Sequence, residues 1–319
     1  MRNLGAWVFP FVLSTLCVHA AYGQNYPSKY VRIVTTEPGS ASDFASRLIA
    51  QRLSETLGQQ VIVDNRGGGI AAIELVAKAQ PDGYSLLLYG ALIWLLPYMR
   101  DHVPWDPVRD FAPITLVLSS PNILVVHPSL PVKSVKDLIA LAKAKPGELN
   151  YSSGPAGTST HLAAELFKSM ARVDIVRVPF KGNVPGLAAL ISGEVQLVFP
   201  TAGSGSIHVK SGRLRALAVT SAEPSALFPG LPTMAESGLP GYETVSILGM
   251  FAPAKTPENI LRRLHQEIVA VVNRADVKEK LLSAGAEART STPEELAATV
   301  KAEMAKWSRI IKDAGIRAD

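Results

Sequence analysis

The chain has 319 residues, which is too long for one compact hydrophobic core and predicts about two domains. Hydrophobic residues make up 47% of it and charged residues 18%, which excludes an intrinsically disordered protein. The net charge of +5 would allow a nucleic-acid partner, but lysine and arginine are scattered among acidic residues without a basic run, so we expect no nucleic-acid partner.

Residues 1–23 have the layout of a secretory signal peptide. Arg2 supplies a positive charge, an apolar stretch follows over 6–18, and a small-x-small triplet ends at Gly23. The stretch is too short to span a bilayer comfortably and is interrupted by Pro10, which argues against a membrane anchor. Cleavage after Gly23 would also remove Cys17 and leave no disulfide or thiolate site. We therefore predict export to the periplasm.

The first part of the chain alternates strands with helices. The predicted strands are 30–36, 60–64 and 84–89, and the predicted helices are 43–57 and 70–79. The first helix ends at Gly58 and has an apolar face formed by Phe44, Leu48, Ile49 and Leu53. Repeated strand–helix units predict a parallel sheet covered on both faces.

A second α/β series follows, and then a helical tail. Its predicted strands are 122–127, 149–152, 174–178, 195–199 and 214–220, and its predicted helices are 135–145, 159–171 and 184–192, with Ser134 as an N-cap. A segment over 242–252 leads into helices over 257–273, 277–284 and 293–314, the last capped by Thr292.

This order predicts an α/β protein with one lobe inserted into the other. The chain would cross between lobes near 118–123 and near 245–251, and two crossings make a hinge beside a ligand cleft. The predicted divisions are a signal peptide over 1–23, a first lobe over 24–121 and 246–319, and an inserted second lobe over 122–245.

Motifs for cofactors, metals and catalysis are weak. Residues 67–72 loosely fit G-x-G-x-x-A, but no acidic residue follows about 20 positions later to hold a ribose. The histidines lack metal-ligand spacing, so we predict no bound metal. We also predict no cofactor and no catalytic residue. His161 lies near Ser159 and Thr160, which leaves a secreted hydrolase as the alternative function, although we expect His161 to brace its loop. A regulator's effector domain shares the two-lobed architecture but follows a DNA-binding helix-turn-helix, where this chain has the predicted signal peptide.

Two matching loops form the candidate binding site. Residues 38–43 and 153–161 each join a strand to a helix and leave backbone N–H groups bare at the helix start. Such groups, with the helix dipole, bind a carboxylate or another anion, and ligands of open α/β sheets bind beyond the carboxyl ends of strands. The predicted ligand-binding residues of these loops are Gly39, Ser40, Ala41, Ser42, Asp43, Ser153, Gly154, Gly157, Thr158, Ser159 and His161.

Several further segments, taken in order, are typical of one family. They are Tyr-Pro at 26–27, Pro-Gly-Ser-Ala-Ser-Asp at 38–43, Gly-Gln-Gln-Val-Ile-Val-Asp-Asn-Arg at 58–66, Ala-Lys-Ala-Gln-Pro-Asp-Gly-Tyr at 77–84, Asp-Phe-Ala-Pro-Ile at 110–114, Tyr-Ser-Ser-Gly at 151–154, Val-Pro-Phe-Lys-Gly at 178–182 and Phe-Ala-Pro-Ala-Lys-Thr-Pro at 251–257. On these segments the chain resembles the solute-binding receptors of tripartite tricarboxylate transporters, the Bug or TctC family.

The resemblance implies a type II periplasmic binding protein, the two-lobed "Venus flytrap" fold, and not an enzyme. It implies a small organic acid or amide ligand and membrane permease subunits as partners, and we expect a monomer. It also places at the cleft the residues Gly90, Ala91, Lys181, Asn183, Pro200 and Thr201. The chain departs from the family pattern at Ser40, where glycine is common, and at Glu37, where an apolar residue is commoner. A carboxylate at position 37 would repel a carboxylate ligand or need a bridging water.

Overall fold

The computed structural model describes residues 26–67, 70–180 and 182–318. The predicted signal peptide and Lys181 lie outside these residues. In chain order the elements are β1 (Val31–Thr35), α1 (Ala41–Leu57), β2 (Val61–Asn65), α2 (Ala71–Ala77), β3 (Ser85–Tyr89), α3 (Leu92–Met99), β4 (Phe111–Pro121), β5 (Ile123–Val126), α4 (Val135–Ala144), β6 (Asn150–Ser153), α5 (Ser159–Ala171), β7 (Val176–Pro179), α6 (Asn183–Ile191), β8 (Leu197–Val198), α7 (Ala202–Lys210), β9 (Arg215–Val219), β10 (Val245–Pro253), α8 (Glu258–Val272), α9 (Ala275–Ser283), β11 (Glu287–Ala288) and α10 (Pro293–Asp313).

The described strands form two sheets. The first has the order β11-β4-β10-β3-β1-β2 and the second the order β7-β6-β8-β5-β9. We call the part built on the first sheet the first lobe and the part built on the second sheet the second lobe. The chain leaves the first sheet where β4 passes into β5 through Asn122, and it returns at β10. The predicted α/β fold with one lobe inserted into the other is therefore confirmed.

Both sheets are mixed, so the prediction of a parallel sheet is wrong in part. The strand–helix–strand units are parallel, β1 with β2 and β3, and β6 with β7 and β8. In contrast, β10 runs antiparallel to β3 and β4, and β5 runs antiparallel to β8 and β9. The reversed strands β5 and β10 follow the two crossings of the chain, where no helix returns the chain to the same end of the sheet.

The ends of several helices lie at the residues that the sequence predicts. Gly58 ends α1 with a φ of 66°, which glycine adopts at little cost. The Ser134 hydroxyl accepts the N–H of Asp137 at the start of α4. Thr292 and Glu295 form a reciprocal capping box at the start of α10. These local hydrogen bonds fix where the helices begin and hence which residues their first turns present.

The buried stripe of α1 differs from the predicted one. Phe44 is 41% exposed, whereas Leu48, Ile49 and Leu53 are buried as expected. The stripe passes instead through Ser42, Ser46, Ile49 and Leu53. Small polar residues therefore occupy the inner positions of the first turns, and Phe44 lies on the flank of the stripe.

One apolar cluster joins the two lobes. It includes Trp94 of α3, Phe167 of α5 and Trp307 of α10, all at most 2% exposed. The hydroxyl of Tyr242, in the segment before β10, donates to the carbonyl of Ala163 in α5 at 2.7 Å. Because α10 contacts α3 and β4 as well as α5, it belongs to the packing of both lobes. Separate clusters cover the opposite faces of the two sheets.

Candidate functional site

A cleft of about 680 Å³ lies at the carboxyl ends of parallel strands from both sheets. The first lobe contributes the segments that follow β1 and β3, and the second lobe contributes the loop that follows β6 and the start of α6. Strand β10 and helix α10 complete the walls. Ligands of open α/β sheets bind in this position, so the cleft is the candidate site.

Eight of the residues predicted from the sequence line this cleft. They are Ser42, Gly90, Ala91, Gly154, Gly157, Thr158, Ser159 and Asn183. Another eight lie beside or behind the lining, namely Gly39, Ser40, Ala41, Asp43, Ser153, His161, Pro200 and Thr201. Lys181 lies outside the described residues. The two predicted loops thus lie at one cleft. Half of the predicted residues that the structure describes do not line it.

The start of α5 offers backbone N–H groups to the cleft. Its N-cap, Thr158, makes no capping hydrogen bond, because the Thr158 hydroxyl donates to the carbonyl of Pro155 at 2.8 Å. The N–H groups of Ser159 and Thr160 have no acceptor among the described residues, and both residues line the cleft. The positive end of the α5 dipole reinforces these donors. An anionic group in the cleft can therefore bind here without a lysine or an arginine.

More backbone N–H groups of the first loop, residues 38–43, are hydrogen-bonded within the protein than the sequence predicted. The Ser40 hydroxyl accepts the N–H of Asp43 at 3.1 Å, and the Asp43 carboxylate accepts the N–H of Gly39 at 2.9 Å. Asn65 and Arg47 also donate to the Asp43 carboxylate, both at 2.9 Å. Burial acts to raise the pKa of Asp43, but the hydrogen bonds from Gly39, Asn65 and Arg47 outweigh it and hold that pKa below its ordinary value. Asp43 and Ser40 therefore hold the loop in place and are not lining residues.

The two loops share one construction. Gly39 and Gly157 have φ values of 81° and 79°, and each precedes the N-cap of a helix. The N–H of Gly39 donates to the side chain of Asp43, and the N–H of Gly157 donates to Nδ1 of His161 at 3.3 Å. In each lobe a side chain four residues after the glycine thus fixes the turn before the helix. The match extends from the sequence pattern to the hydrogen bonds.

His161 is held inside the second lobe in the neutral form. Its ring is 3% exposed, and Nδ1 accepts the Gly157 N–H, which leaves the proton on Nε2. Nε2 lies 4.0 Å from a carboxylate oxygen of Glu165. Burial, with Arg177 and Lys168 nearby, lowers the pKa of His161 to about 4, although Glu165 acts in the opposite direction. His161 does not line the cleft and makes no hydrogen bond with a described hydroxyl group, so the geometry gives no support to the hydrolase alternative.

Arg177 fixes the beginning of the same loop from behind. Its Nε donates to the Ser153 hydroxyl at 2.7 Å, and its Nη2 donates to the carbonyl of Gly154 at 2.9 Å. This explains why Ser153 is 2% exposed and turned away from the cleft while Gly154 lines it. Arg177 and His161 together leave the second loop few alternative conformations.

A chain of polar side chains connects α5, α6 and α7. The Thr160 hydroxyl donates to Oδ1 of Asn183 at 2.8 Å, and Nδ2 of Asn183 donates to the Thr201 hydroxyl at 3.5 Å. Thr201 is the N-cap of α7, and the carbonyl of Pro200 accepts the N–H of Ile123 at 3.0 Å. Thr201 and Pro200 therefore support Asn183 and the crossing strand, while Asn183 itself reaches the cleft.

Two lining residues of α10 are not predicted by the sequence patterns. Glu303 and Trp307 lie four positions apart, and the indole N–H of Trp307 donates to Glu303 at 2.8 Å. Burial raises the pKa of Glu303, and the charge of Glu243 adds to this, while Lys306 and the Trp307 hydrogen bond act against it. Other lining residues outside the predicted set include Thr36, Leu92, Leu95, Thr244, Ser246 and Leu248. The spacing of Glu303 and Trp307, which puts them on one face of α10, was the sequence signal that could have indicated a shared surface.

The described part of the chain shows neither a metal site nor a membrane-spanning helix. No group of three or more His, Cys, Asp or Glu residues there is placed to hold a metal ion. Over the same residues, no helix combines the length and apolar character that a membrane crossing requires.

Two α/β lobes joined by crossing strands, with helix starts from both lobes around one cleft, define the class of two-lobed solute-binding proteins. A model described as the tripartite tricarboxylate transporter family receptor matches residues 45–316. The chain therefore belongs to this family, whose members are periplasmic binding proteins and not enzymes. This confirms the resemblance seen in the sequence.

Known proteins resemble the chain over most of its length. It is 35% identical over 298 residues to a protein of the tcbD–tcbE intergenic region of Pseudomonas sp. strain P51, covering 92% of this chain and 89% of that protein. A structure of Rpa4515 of R. palustris with adipate has 38% identity and a TM-score of 0.78, covering 92% of this chain and 99% of that chain. A structure of MatC (Rpa3494) of Rhodopseudomonas palustris with bound malate has 28% identity and a TM-score of 0.73, covering 90% and 100%.

Proposed function

We propose that this protein captures a small carboxylate between its lobes and delivers it to a tripartite tricarboxylate-type transporter. The observation that carries the proposal is the start of α5, where the N–H groups of Ser159 and Thr160 face the cleft without an acceptor among the described residues. Peptide N–H groups at the positive end of a helix are suited to a carboxylate. The adipate and malate bound to two related structures support the same ligand chemistry.

Closure of the lobes is the proposed mechanism of capture. The start of α3, with Gly90 and Ala91, lines the same cleft as the start of α5 in the other lobe. A solute that contacts both helix starts does so only when the lobes are closed, so its binding free energy favours the closed state. We assign the ligand contacts to the predicted residues that line the cleft, and a positioning role to Ser40, Asp43, Ser153 and His161.

We also propose lobe boundaries, a cleavage site and partners for this protein. The lobe boundaries are proposed as 24–121 with 246–319, and 122–245. We propose that cleavage after Gly23 releases the mature chain into the periplasm, where it acts as a monomer and presents its ligand to the membrane permease subunits. The match to a family of transporter receptors supports this assignment. Mass spectrometry of the exported protein tests the cleavage, and light scattering tests the monomer.

Removal of one N–H group tests the carboxylate site. Ser159 is the first residue of α5, so its N–H takes no part in the helix, and Thr158 before it has an extended backbone that a following proline tolerates. Isothermal titration with adipate and malate should show that Ser159→Pro weakens binding by about tenfold or more, the loss of a hydrogen bond to a charged group. Ser159→Ala, which keeps the N–H and removes the hydroxyl, should bind nearly as well as the unaltered protein.

The matched control is Ala275→Pro, at the first position of α9. Ala275 is exposed, also follows an extended N-cap residue, and does not line the cleft, so this substitution should leave binding unchanged. If neither these acids nor a broader panel of carboxylates raised the melting temperature, or if Ser159→Pro bound them as well as Ala275→Pro does, the proposal would be wrong.

A further inference from the structure

A second pocket, of about 300 Å³, lies beside the loop that precedes α5. Helix α5 and strand β7 of the second lobe contribute His161, Lys168 and Arg177 to it, and the segment after α10 contributes residues 314–317. Among the described residues, Ala156 is the one that lines both this pocket and the cleft. The second pocket is therefore separate from the cleft that we propose for the solute.

Positive charge exceeds negative charge in the lining of this pocket. The lining cations are Lys168, Arg177 and Arg317, and among the described residues the lining carboxylate is that of Glu165. The Glu165 carboxylate already accepts the Lys168 ammonium group at 3.2 Å and the Tyr151 hydroxyl. Its charge therefore offsets that of Lys168, and the charges of the two arginines remain.

Arg177 is partly buried and has no carboxylate partner among the described residues. Its Nε and Nη2 bind the uncharged Ser153 hydroxyl and Gly154 carbonyl, and its Nη1 has no acceptor in the described part of the chain. Arg317 pairs with Asp101, but their side chains are 59% and 88% exposed, and such a surface pair contributes little free energy. A partly buried guanidinium without a counter-charge has a cost in free energy that a bound anion would remove.

His161 adds a buried donor without an acceptor. The residue is 3% exposed and lines the pocket, and its Nδ1 accepts the Gly157 N–H, so the proton is on Nε2. A carboxylate oxygen of Glu165 lies 4.0 Å from Nε2, which is beyond hydrogen-bond distance. A buried N–H group left without an acceptor is costly. This donor and the unpaired Arg177 line the same pocket, so both indicate a ligand that carries several acceptor oxygens.

We propose that this second pocket binds a small, doubly charged oxyanion, namely phosphate or sulfate. Nη1 of Arg177, the Arg317 guanidinium and Nε2–H of His161 supply the donors to its oxygens, and the two arginines match its two negative charges. Because Arg177 and His161 also hold Gly154 and Gly157, the anion binds the side chains that position the second loop. The site does not depend on the proposed function, which concerns the cleft.

Titration calorimetry at neutral pH, in about 0.15 M sodium chloride, tests the site with sodium phosphate, sulfate and acetate. Phosphate, sulfate or both should bind at one site per chain, whereas the singly charged acetate should not saturate at the same concentrations. Arg177→Gln should weaken the binding of the oxyanion by about tenfold or more, through the loss of a charge-assisted hydrogen bond. Arg317→Gln, which does not touch the second loop, should weaken it by about threefold, because this guanidinium is more exposed. Arg309→Gln removes an exposed arginine of α10 that does not line the pocket, and should change nothing.

Ser159→Pro separates this pocket from the cleft. It should leave the binding of phosphate and sulfate unchanged, and a loss of binding would place the anion at the start of α5 and overturn the inference. The inference is also rejected if neither oxyanion saturates, or if Arg309→Gln weakens binding as much as Arg317→Gln does. Asp319 follows the pocket segment in the sequence and lies outside the described residues. Binding seen only with Asp319→Asn would mean that the chain's own carboxylate fills the pocket, which excludes a free anion site.

Discussion

Two side chains that do not touch the cleft decide the shape of its loops. Asp43 and His161 each accept the N–H of a glycine four residues earlier, and both glycines have positive φ values. A carboxylate performs this task in the first lobe and a neutral imidazole performs it in the second. Because the two groups titrate differently, the second loop is the one that responds to mild acid.

Acid should destabilise the protein through His161. An unfolded histidine has a pKa of about 6.5, and burial lowers that of folded His161 to about 4. Between these values the unfolded state binds a proton that the folded state does not, so stability falls as the pH falls through this window. Denaturation at pH 7 and pH 4.5 should show the stability advantage of the unaltered protein over His161→Gln shrinking by about 2 kcal/mol. His102→Gln, at an exposed site, is the control, and an equal pH response in all three proteins would contradict the assignment.

The two loop glycines should differ in how well they tolerate alanine. Both have positive φ, so Gly39→Ala and Gly157→Ala each incur the backbone strain of about 1 kcal/mol. A Cβ at Gly39 meets nothing within 4 Å, whereas one at Gly157 would lie 2.6 Å from Cε of Met99 in α3. We expect Gly157→Ala to be the more destabilising by about 1 kcal/mol in denaturant unfolding. The extra loss of unfolding free energy at Gly157 should shrink when Met99 is also replaced by alanine. Equal losses for Gly39→Ala and Gly157→Ala would show that α3 does not restrict the second loop.

At the scale of elements, a helix cap acts on binding only where the helix start faces the cleft. Ser40 caps α1, whose residue Ser42 lines the cleft, whereas Thr292 caps α10 at the end far in sequence from Glu303. Ser40→Ala and Thr292→Ala should each lower the free energy of unfolding by about 1 kcal/mol. Titration should show weaker ligand binding for Ser40→Ala and unchanged binding for Thr292→Ala. Equal effects of the two substitutions on binding would mean that the start of α1 has no part in the site.

The sequence predicted the elements with clear periodicity and did not predict the others. The first and last residues of α5 were predicted without error, since a Ser/Thr-rich loop precedes it and its apolar residues recur at helical spacing. In contrast, α3 and α7 were not predicted. Helix α3 is apolar on every side and contains Pro97, and α7 contains Gly203 and Gly205, so neither shows an amphipathic stripe. The 11-residue strand β4, which contains Pro113, was also not predicted.

Local composition predicted the part of the candidate site that lies in the loops before helices. Gly157, Thr158 and Ser159 were predicted as binding residues because Gly, Ser and Thr free the backbone at a helix start, and the structure places them in the cleft lining. Glu303 and Trp307 could not be found in this way, because they reach the cleft through the packing of α10 against both lobes. That packing depends on contacts between residues far apart in the sequence.

At the scale of the whole molecule, the cleft is formed by both lobes and the elements between them. Strand β10 carries the chain back to the first sheet and supplies Ser246 and Leu248 to the lining, and Thr244 just before the strand also lines the cleft. Helix α10 contacts α3 in one lobe and α5 in the other. A solute held between the helix starts, as proposed, would contact both lobes, so its binding would favour their closed arrangement.

A crystal structure of the mature protein with its tightest-binding solute tests this account most directly. We predict a carboxylate of the solute within hydrogen-bond distance, about 3 Å, of the backbone nitrogens of Ser159 and Thr160, with the start of α3 on its other side. A solute carboxylate held instead by a lysine or arginine side chain, or a solute bound outside this cleft, would contradict it.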